Sequence, residues 1–202
     1  TMLETNSYDT ICHEHLEFYA LRQIKWMTDR VGFRILHVEL NDIKGGSFSI
    51  TASKSDGDKT VPPSVQRILD AEDGMGLDTL PCYEAFAARA VRSKRDLQQF
   101  IETAHAEGKK VAALGASTKG NVLLQYCGLT EKHICCIGDV NTDKFGCYTP
   151  GTWIPIIAED QLLAMNPDYL IVLPWHFRTF FVENKKFSKF KLVFPLPRLE
   201  VL

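Results

Sequence analysis

The chain has 202 residues, of which 45% are hydrophobic and 24% charged, with a formal net charge of −2. Its length suffices for one large domain or two small ones, and its charge predicts no nucleic-acid partner and no anionic membrane surface. Since it shows no membrane-spanning run, no signal peptide and six cysteines without a CxxC pair, we expect a cytoplasmic protein with no membrane partner.

The first chemical motif is the segment at residues 7–16, SYDTICHEHL, which brings Cys12, His13, Glu14 and His15 together. Two imidazoles beside a carboxylate can hold and transfer a proton near neutral pH. In that interpretation one imidazole is a base, and Glu14 fixes its tautomer or raises its pKa. A loop whose histidines bond nearby backbone is the alternative. A metal site is disfavoured because adjacent side chains point in different directions, so we predict none.

A helix and a strand pair are predicted to follow. Apolar residues recur at helical spacing and end before Gly32, namely Leu16, Tyr19, Ala20, Ile24, Met27 and Val31. Apolar residues at 35, 38 and 40 then predict a strand. A turn at 44–46 leads to SFSITAS at 47–53, whose alternation is typical of a half-buried strand.

The middle of the chain predicts loops at 55–63 and 73–81, a short helix at 64–71 and a domain boundary in this region. A long helix is predicted over 84–107. One of its faces is apolar and comprises Phe86, Ala90, Leu97, Ile101 and Ala104. Its basic residues are Arg89, Arg92, Lys94 and Arg95. They form either a solvated surface or a phosphate-binding surface.

Strands and helices alternate in the last part of the chain. The predicted strands are 110–114, 133–137, 169–173 and 191–194, and the helices between them include 121–127 and 159–165. This alternation predicts an α/β domain with a parallel sheet. Because such sheets bind ligands beyond the carboxyl ends of their strands, we expect the loops at 115–121, 139–144 and 174–176 to lie together.

The turn GASTKG at 115–120 matches neither a dinucleotide-binding GxGxxG motif nor a P-loop, which disfavours an NAD-dependent enzyme. Small residues, hydroxyls and a lysine at a helix N-terminus suit an anion, whereas tight packing of strand on helix explains the same glycines. Asp139 is either a ribose-binding acid or a turn residue.

Several stretches and their order resemble the C-terminal half of nucleotide-sugar C-methyltransferases, from about residue 7 to about residue 180. These stretches are YDTICHEHL, GGSFSI, GASTKGN, DVNTDKFG, PGTWIPI and NPDYLIVLPW. The resemblance implies a Rossmann-like parallel-sheet domain at 81–202 that binds a nucleotide sugar. Residues 1–80 would be the C-terminal helix and strand pair of an S-adenosylmethionine-dependent methyltransferase domain, with the cofactor site mostly outside this chain.

The resemblance also implies roles for individual residues. His15 would remove a proton from the carbon next to a sugar ketone, and Glu14 would tune or relay that proton, while His13 would be structural. Cys12 stands where the family commonly has tyrosine, and His176 where it more often has asparagine. The residues expected to line the nucleotide-sugar site are Lys119, Asn121, Asp139, Lys144, Trp175 and His176.

The sequence thus predicts the C-terminal part of an S-adenosylmethionine-dependent C-methyltransferase that acts through an enolate of a nucleotide-linked keto-sugar. The alternative is a non-catalytic Rossmann-like module that binds a nucleotide or another ligand.

Overall fold

The computed structural model describes residues 1–41, 46–55, 57–58 and 60–202, which divide into two compact units. The N-terminal unit comprises Thr1–Glu4 and His15–Ala87, and the C-terminal unit comprises Thr5–Glu14 and Ala88–Leu202. The chain therefore passes between the units three times: between Glu4 and Thr5, between Glu14 and His15, and between Ala87 and Ala88. No helix in the described part of the chain is long and apolar enough to cross a bilayer.

The N-terminal unit begins its regular structure at helix α1 (Leu21–Arg30). The predicted start near Leu16 was wrong, because Leu16 is 90% exposed and the first α-helix begins at residue 21. The helix begins where a carboxylate meets its first free N–H groups. Glu72 accepts hydrogen bonds from Leu21 N at 2.6 Å and from Arg22 N at 3.0 Å, which satisfies donors that an α-helix leaves unpaired.

Two strands and a helix complete this unit. Strand β1 (Phe33–Asn41) pairs antiparallel with β2 (Ser47–Lys54), as predicted, although residues 44 and 45 of the predicted turn lie outside the described residues. Helix α2 (Pro63–Met75) is longer than predicted, since Pro63 occupies a first-turn position that tolerates proline. The core of the unit is Leu21, Ile35, Val38 and Val65.

The long helix α3 (Leu80–Ala106) begins earlier than predicted and contains the last division between units. Its predicted apolar face is confirmed, because all five of the residues named for it are buried. Its basic residues behave as a largely solvated surface: Arg89, Arg92 and Arg95 are exposed, and the Lys94 ammonium lies over the Tyr126 ring.

The C-terminal unit is built on a mostly parallel six-stranded sheet. The sheet strands are β3 (Val111–Leu114), β4 (Ile137–Asp139), β5 (Ile156–Ala158), β6 (Tyr169–Val172), β7 (Lys191–Phe194) and β8 (Glu200–Val201). Their order across the sheet is β5-β4-β3-β6-β7-β8, with only β8 antiparallel to its neighbour. The helices of the sheet crossovers and connections are α4 (Thr118–Cys127), α5 (Glu159–Ala164) and α6 (Arg178–Glu183).

The predicted parallel sheet is confirmed, with one strand displaced and two missed. The strand predicted at 133–137 begins at Ile137 instead, although Cys135 N already donates to Val111 O across to β3. The two missed strands, β5 and β8, have three and two residues. They are too short to show the alternation of apolar and polar residues by which a strand is predicted.

Gly115, which directly follows β3, allows a test of how tightly the loops after β3 and β6 pack against each other. Gly115 has φ of +80°, and a Cβ on it would lie 2.7 Å from Pro174 Cδ. Gly128, with φ of +68°, has nothing within 4 Å of such a Cβ. We expect Gly128→Ala to cost about 1 kcal/mol of unfolding free energy through backbone strain alone. Gly115→Ala should cost about 1–3 kcal/mol more, because it adds a collision.

Chemical denaturation of the two variants measures this difference. Equal losses would mean that the loop of Pro174 moves away at no cost.

Candidate functional site

The candidate site lies at the carboxyl ends of the neighbouring strands β3 and β6. After β3 the chain continues to strands on one side of this pair, and after β6 it continues to strands on the other side. Strands β4 and β5 extend from one side of β3, and β6 and β7 extend from the other. Parallel sheets bind ligands at such a switch point, because the loops that follow the two central strands diverge and leave a crevice. The loops here are residues 115–117 after β3 and 173–176 after β6.

Asp139 joins the loop after β3 to the loop after β4. Its Oδ2 accepts hydrogen bonds from Ala116 N at 2.8 Å and Lys144 Nζ at 3.1 Å, and its Oδ1 accepts one from Asn141 N at 2.8 Å. Lys144 Nζ also donates to Ala116 O at 2.8 Å. Burial raises the pKa of Asp139, but these hydrogen bonds outweigh it, so the net pKa lies below its ordinary value.

Both glycines of the turn at 115–120 are required by packing. Beside the Gly115 contact with Pro174, a Cβ on Gly120 would lie 3.1 Å from two atoms of the Leu173 side chain. Ser117 caps α4, since its Oγ accepts from Gly120 N at 3.1 Å. Tight packing of strand on helix therefore accounts for the glycines, and the choice of Ser117 follows from helix capping.

The segment Thr5–Glu14 packs on the last turn of α4 through Tyr8. Residues Tyr8–Thr10 form a single 3₁₀ turn, in which Tyr8 is buried. The Tyr8 ring lies 5.1 Å from that of Tyr126, and its hydroxyl lies 3.8 Å from Cys127 Sγ, both on α4. Burial raises the pKa of the Tyr8 phenol, and that of Cys127 rises to about 11. Tyr8 is thus a neutral anchor.

Asp9, next in the same turn, ties the segment to the loop after β6. It is 1% exposed, and its Oδ2 accepts a hydrogen bond from Trp175 Nε1 at 2.8 Å. Burial raises its pKa, although the Trp175 hydrogen bond and the charge of Lys119 lower it in part. Its Oδ1 is buried and has no hydrogen-bond partner among the described residues. A carboxyl with one unsatisfied oxygen retains its proton to higher pH.

His176 and Asn121 supply further buried polar atoms nearby. Burial lowers the pKa of His176, and the charge of Lys119 lowers it further, so the imidazole is neutral near pH 7. Its Nδ1 and the Asn121 Oδ1 have no hydrogen-bond partner in the described part of the chain. Buried polar atoms normally have a hydrogen-bond partner. These two atoms are therefore suited to form hydrogen bonds with a bound ligand.

An open groove of about 530 Å³ runs beside the segment and is lined by Cys12, His13 and Asn121. Glu14 is exposed, and its Oε1 lies 3.5 Å from the Thr118 hydroxyl at the start of α4. His13, expected to be structural, is also exposed, and its role stays a prediction.

Most of the predicted site residues belong to one compact unit. The C-terminal unit contains Cys12, Glu14, Lys119, Asn121, Asp139, Lys144, Trp175 and His176. His15 belongs to the N-terminal unit, where its ring lies edge-on to Phe18 at 6.1 Å between centroids. Sequence reasoning missed Asp9 and Tyr8. The signal available was an acid next to a tyrosine, four positions before His13.

The buried carboxyl of Asp9 makes protein stability depend on pH. Its pKa in the folded state lies above the ordinary 3.8, so the unfolded chain releases this proton first as pH rises. Asp9 therefore lowers stability progressively as pH rises above about 3.8 through the folded-state pKa. Asp9→Asn should remove that loss, so the stability of the variant relative to wild type should increase from pH 3.5 to pH 7.

Unfolding free energies across this range check the Asp9 prediction, with Asp96→Asn on the exposed surface of α3 as the control for loss of one carboxylate. Parallel pH profiles for Asp9→Asn and wild type would contradict it.

Comparison with known proteins places this site in a family. Residues 42–197 match the family described as C-methyltransferase C-terminal domain. The chain is also 32% identical over 185 residues to C-methyltransferase NovU of Streptomyces niveus, across 92% of this chain and 44% of that protein. It thus spans less than half the length of that relative. The match covers the whole parallel sheet except its last strand, and the chain belongs to the C-methyltransferase C-terminal domain family.

Proposed function

We propose that this chain is the substrate-binding C-terminal part of an S-adenosylmethionine-dependent C-methyltransferase that acts beside the ketone of a nucleotide-linked keto-sugar. One observation carries the proposal. The segment Thr5–Glu14 is fastened by Asp9 to Trp175, at the edge where a parallel sheet binds ligands. Cys12, His13 and Glu14 of the acid–base motif therefore belong to the same compact unit as the crevice. The name of the similar Streptomyces protein, a C-methyltransferase, supports methyl transfer to carbon.

We further infer the architecture of the complete protein. Numbered from β3, the strand order reads 3-2-1-4-5, which is typical of Rossmann-like domains and supports such a domain at 81–202. Helix α1 and the pair β1–β2 would end a methyltransferase domain, as expected for residues 1–80. An isolated two-stranded sheet is marginally stable, which supports completion of this sheet by residues that a longer relative such as NovU contains.

The proposed site would bind the diphosphate of the nucleotide sugar through positive charge and the sugar through neutral polar groups. Lys119 and Lys144 offer positive charge for a diphosphate. The buried amide of Asn121 and the neutral imidazole of His176 offer hydrogen bonds to sugar oxygens. Asp139 and Trp175 would act by position, because the Asp139 oxygens and the Trp175 N–H already bond protein groups.

The chemistry assigned to the acid–base motif is removal of a proton from carbon. A carbon beside a ketone is weakly acidic, so a positioned base and stabilisation of the enolate oxygen must share the barrier. His15 would take the proton at its imidazole nitrogen, and Glu14, its neighbour in the chain, would stabilise the resulting imidazolium. Cys12 has a shorter reach and a weaker donor than the tyrosine common in the family, so its contact with substrate would be minor.

The methyl group would come from S-adenosylmethionine, which is the donor that the family implies. The described residues do not fit a site for it. The one glycine-rich turn between a strand and a helix has both glycines committed to packing against Leu173 and Pro174. The binding site for S-adenosylmethionine is therefore proposed to lie mostly outside this chain.

A second candidate function is a non-catalytic binding module. It is favoured by the completeness of the crevice within the C-terminal unit, which contains every predicted substrate residue. Exchange of the substrate's α-hydrogen distinguishes the two functions. Nucleotide-sugar binding without exchange into D₂O would favour the binding module.

Replacement of Lys119 tests the nucleotide-binding part of the proposal. We expect Lys119→Met to weaken binding of thymidine or uridine diphosphate by about 10- to 100-fold, because a charge-assisted hydrogen bond to phosphate is lost. Isothermal titration calorimetry at two salt concentrations checks this, with the exposed Lys132→Met as control. Unchanged affinity in Lys119→Met would remove this residue from the site.

Replacement of His15 tests the proton-transfer step in the complete methyltransferase. His15→Asn should lower methyl transfer and α-hydrogen exchange by about 100-fold or more, because a general base typically contributes 10²–10⁴. Binding of the nucleoside diphosphate should be nearly unchanged. His13→Asn is the matched control, since this exposed imidazole lies two positions away. Full activity in His15→Asn would refute the assignment.

A further inference from the structure

Three sulfur atoms lie together at the opposite edge of the sheet from the candidate site. Cys135 Sγ and Cys136 Sγ are 3.7 Å apart, and Cys136 Sγ is 3.9 Å from Met165 Sδ. We call Cys135, Cys136 and Met165 the sulfur cluster. The two cysteines precede β4, and Met165 ends α5. The cluster therefore lies at the amino ends of the strands, away from the crevice.

Backbone pairing holds the two cysteines in place. Cys135 N donates to Val111 O at 3.0 Å, and Ala113 N donates to Cys136 O at 3.1 Å, so both residues bond to β3 although the regular strand starts later. In a regular strand, adjacent side chains point to opposite faces. Here the two thiols converge, because Cys135 and Cys136 lie in the irregular turn before β4.

The spacing of the sulfur atoms suits a single soft metal ion. Three sulfurs that bind one ion in a trigonal plane at about 2.3 Å are about 4 Å apart, which is close to the two separations observed. Thiolate and thioether ligands select Cu(I) over the hard cations. We propose that the sulfur cluster is a binding site for Cu(I), with two thiolates and one thioether as ligands.

Burial and charge support this site. Cys136 is 4% exposed, whereas Met165 is 43% exposed and Cys135 is half-buried. An ion would therefore arrive at the two outer sulfurs and be held by the inner one. The positive charge of Lys110 acts on both thiols and would offset the net negative charge of two thiolates with one Cu(I).

Competition for Cu(I) against bathocuproine disulfonate under anaerobic conditions tests the proposal on the 202-residue chain. We expect one tightly bound Cu(I) per chain. Cys135→Ser should abolish tight binding. Met165→Leu, which nearly conserves volume, should weaken it by about tenfold or more. Both altered residues are at least partly exposed, so the variants should fold.

The control variant is Cys147→Ser, which removes an exposed thiol elsewhere in the C-terminal unit and should leave Cu(I) affinity unchanged. X-ray absorption should show three sulfur neighbours around the metal. Unchanged affinity in Met165→Leu, equal loss in Cys147→Ser, or fewer than three sulfur neighbours would each overturn the three-sulfur site. None of these outcomes bears on the methyltransferase proposal, which concerns the other edge of the sheet.

Discussion

The hydrogen bond between Asp9 and Trp175 is the interaction on which the candidate site most depends. It joins two residues 166 positions apart in the chain and lies in the interior. Removing a carboxyl from water is costly unless its oxygens are paired, and among the described residues only one oxygen of Asp9 has a partner. A buried carboxyl with one unpaired oxygen lowers the stability of the fold. Groups of this kind are typical of functional sites, where they hold other residues in place. What Asp9 positions is the stretch that ends in Cys12, His13 and Glu14.

The loops that follow β3 and β4 are joined in a different way, by a carboxylate whose two oxygens both accept hydrogen bonds. Asp139 accepts three hydrogen bonds and so sets the spacing between the ends of β3 and β4. Gly115 lets the loop after β6 approach within van der Waals contact. Asp139 and Lys144 are therefore bonded to each other, while Asn121 and His176 keep buried polar atoms without a partner among the described residues. Such unpaired atoms are suited to bind a ligand.

The alternation of strands and helices was enough to predict the parallel sheet and to bring residues 115–121, 139–144 and 174–176 to one edge, since topology alone decides which strand ends meet. The start of α1 was not predictable from local pattern, because it is set by Glu72, a residue 51 positions away from Leu21. The sequence indicated which types of residue form the site. It did not indicate their pKa values, because the pKa shifts of Asp9 and His176 come from burial, which only the tertiary packing produces.

The burial of Trp175 gives the protein an internal optical reporter. The chain has three tryptophans, of which Trp26 and Trp153 are 60% and 68% exposed, while Trp175 is 7% exposed. Indole emission shifts to shorter wavelength in a dry environment and responds to a charged hydrogen-bond acceptor. The emission of Trp175 is therefore separable from that of the other two. Because its N–H donates to Asp9, we expect its fluorescence to respond to the protonation of that carboxyl without any added label.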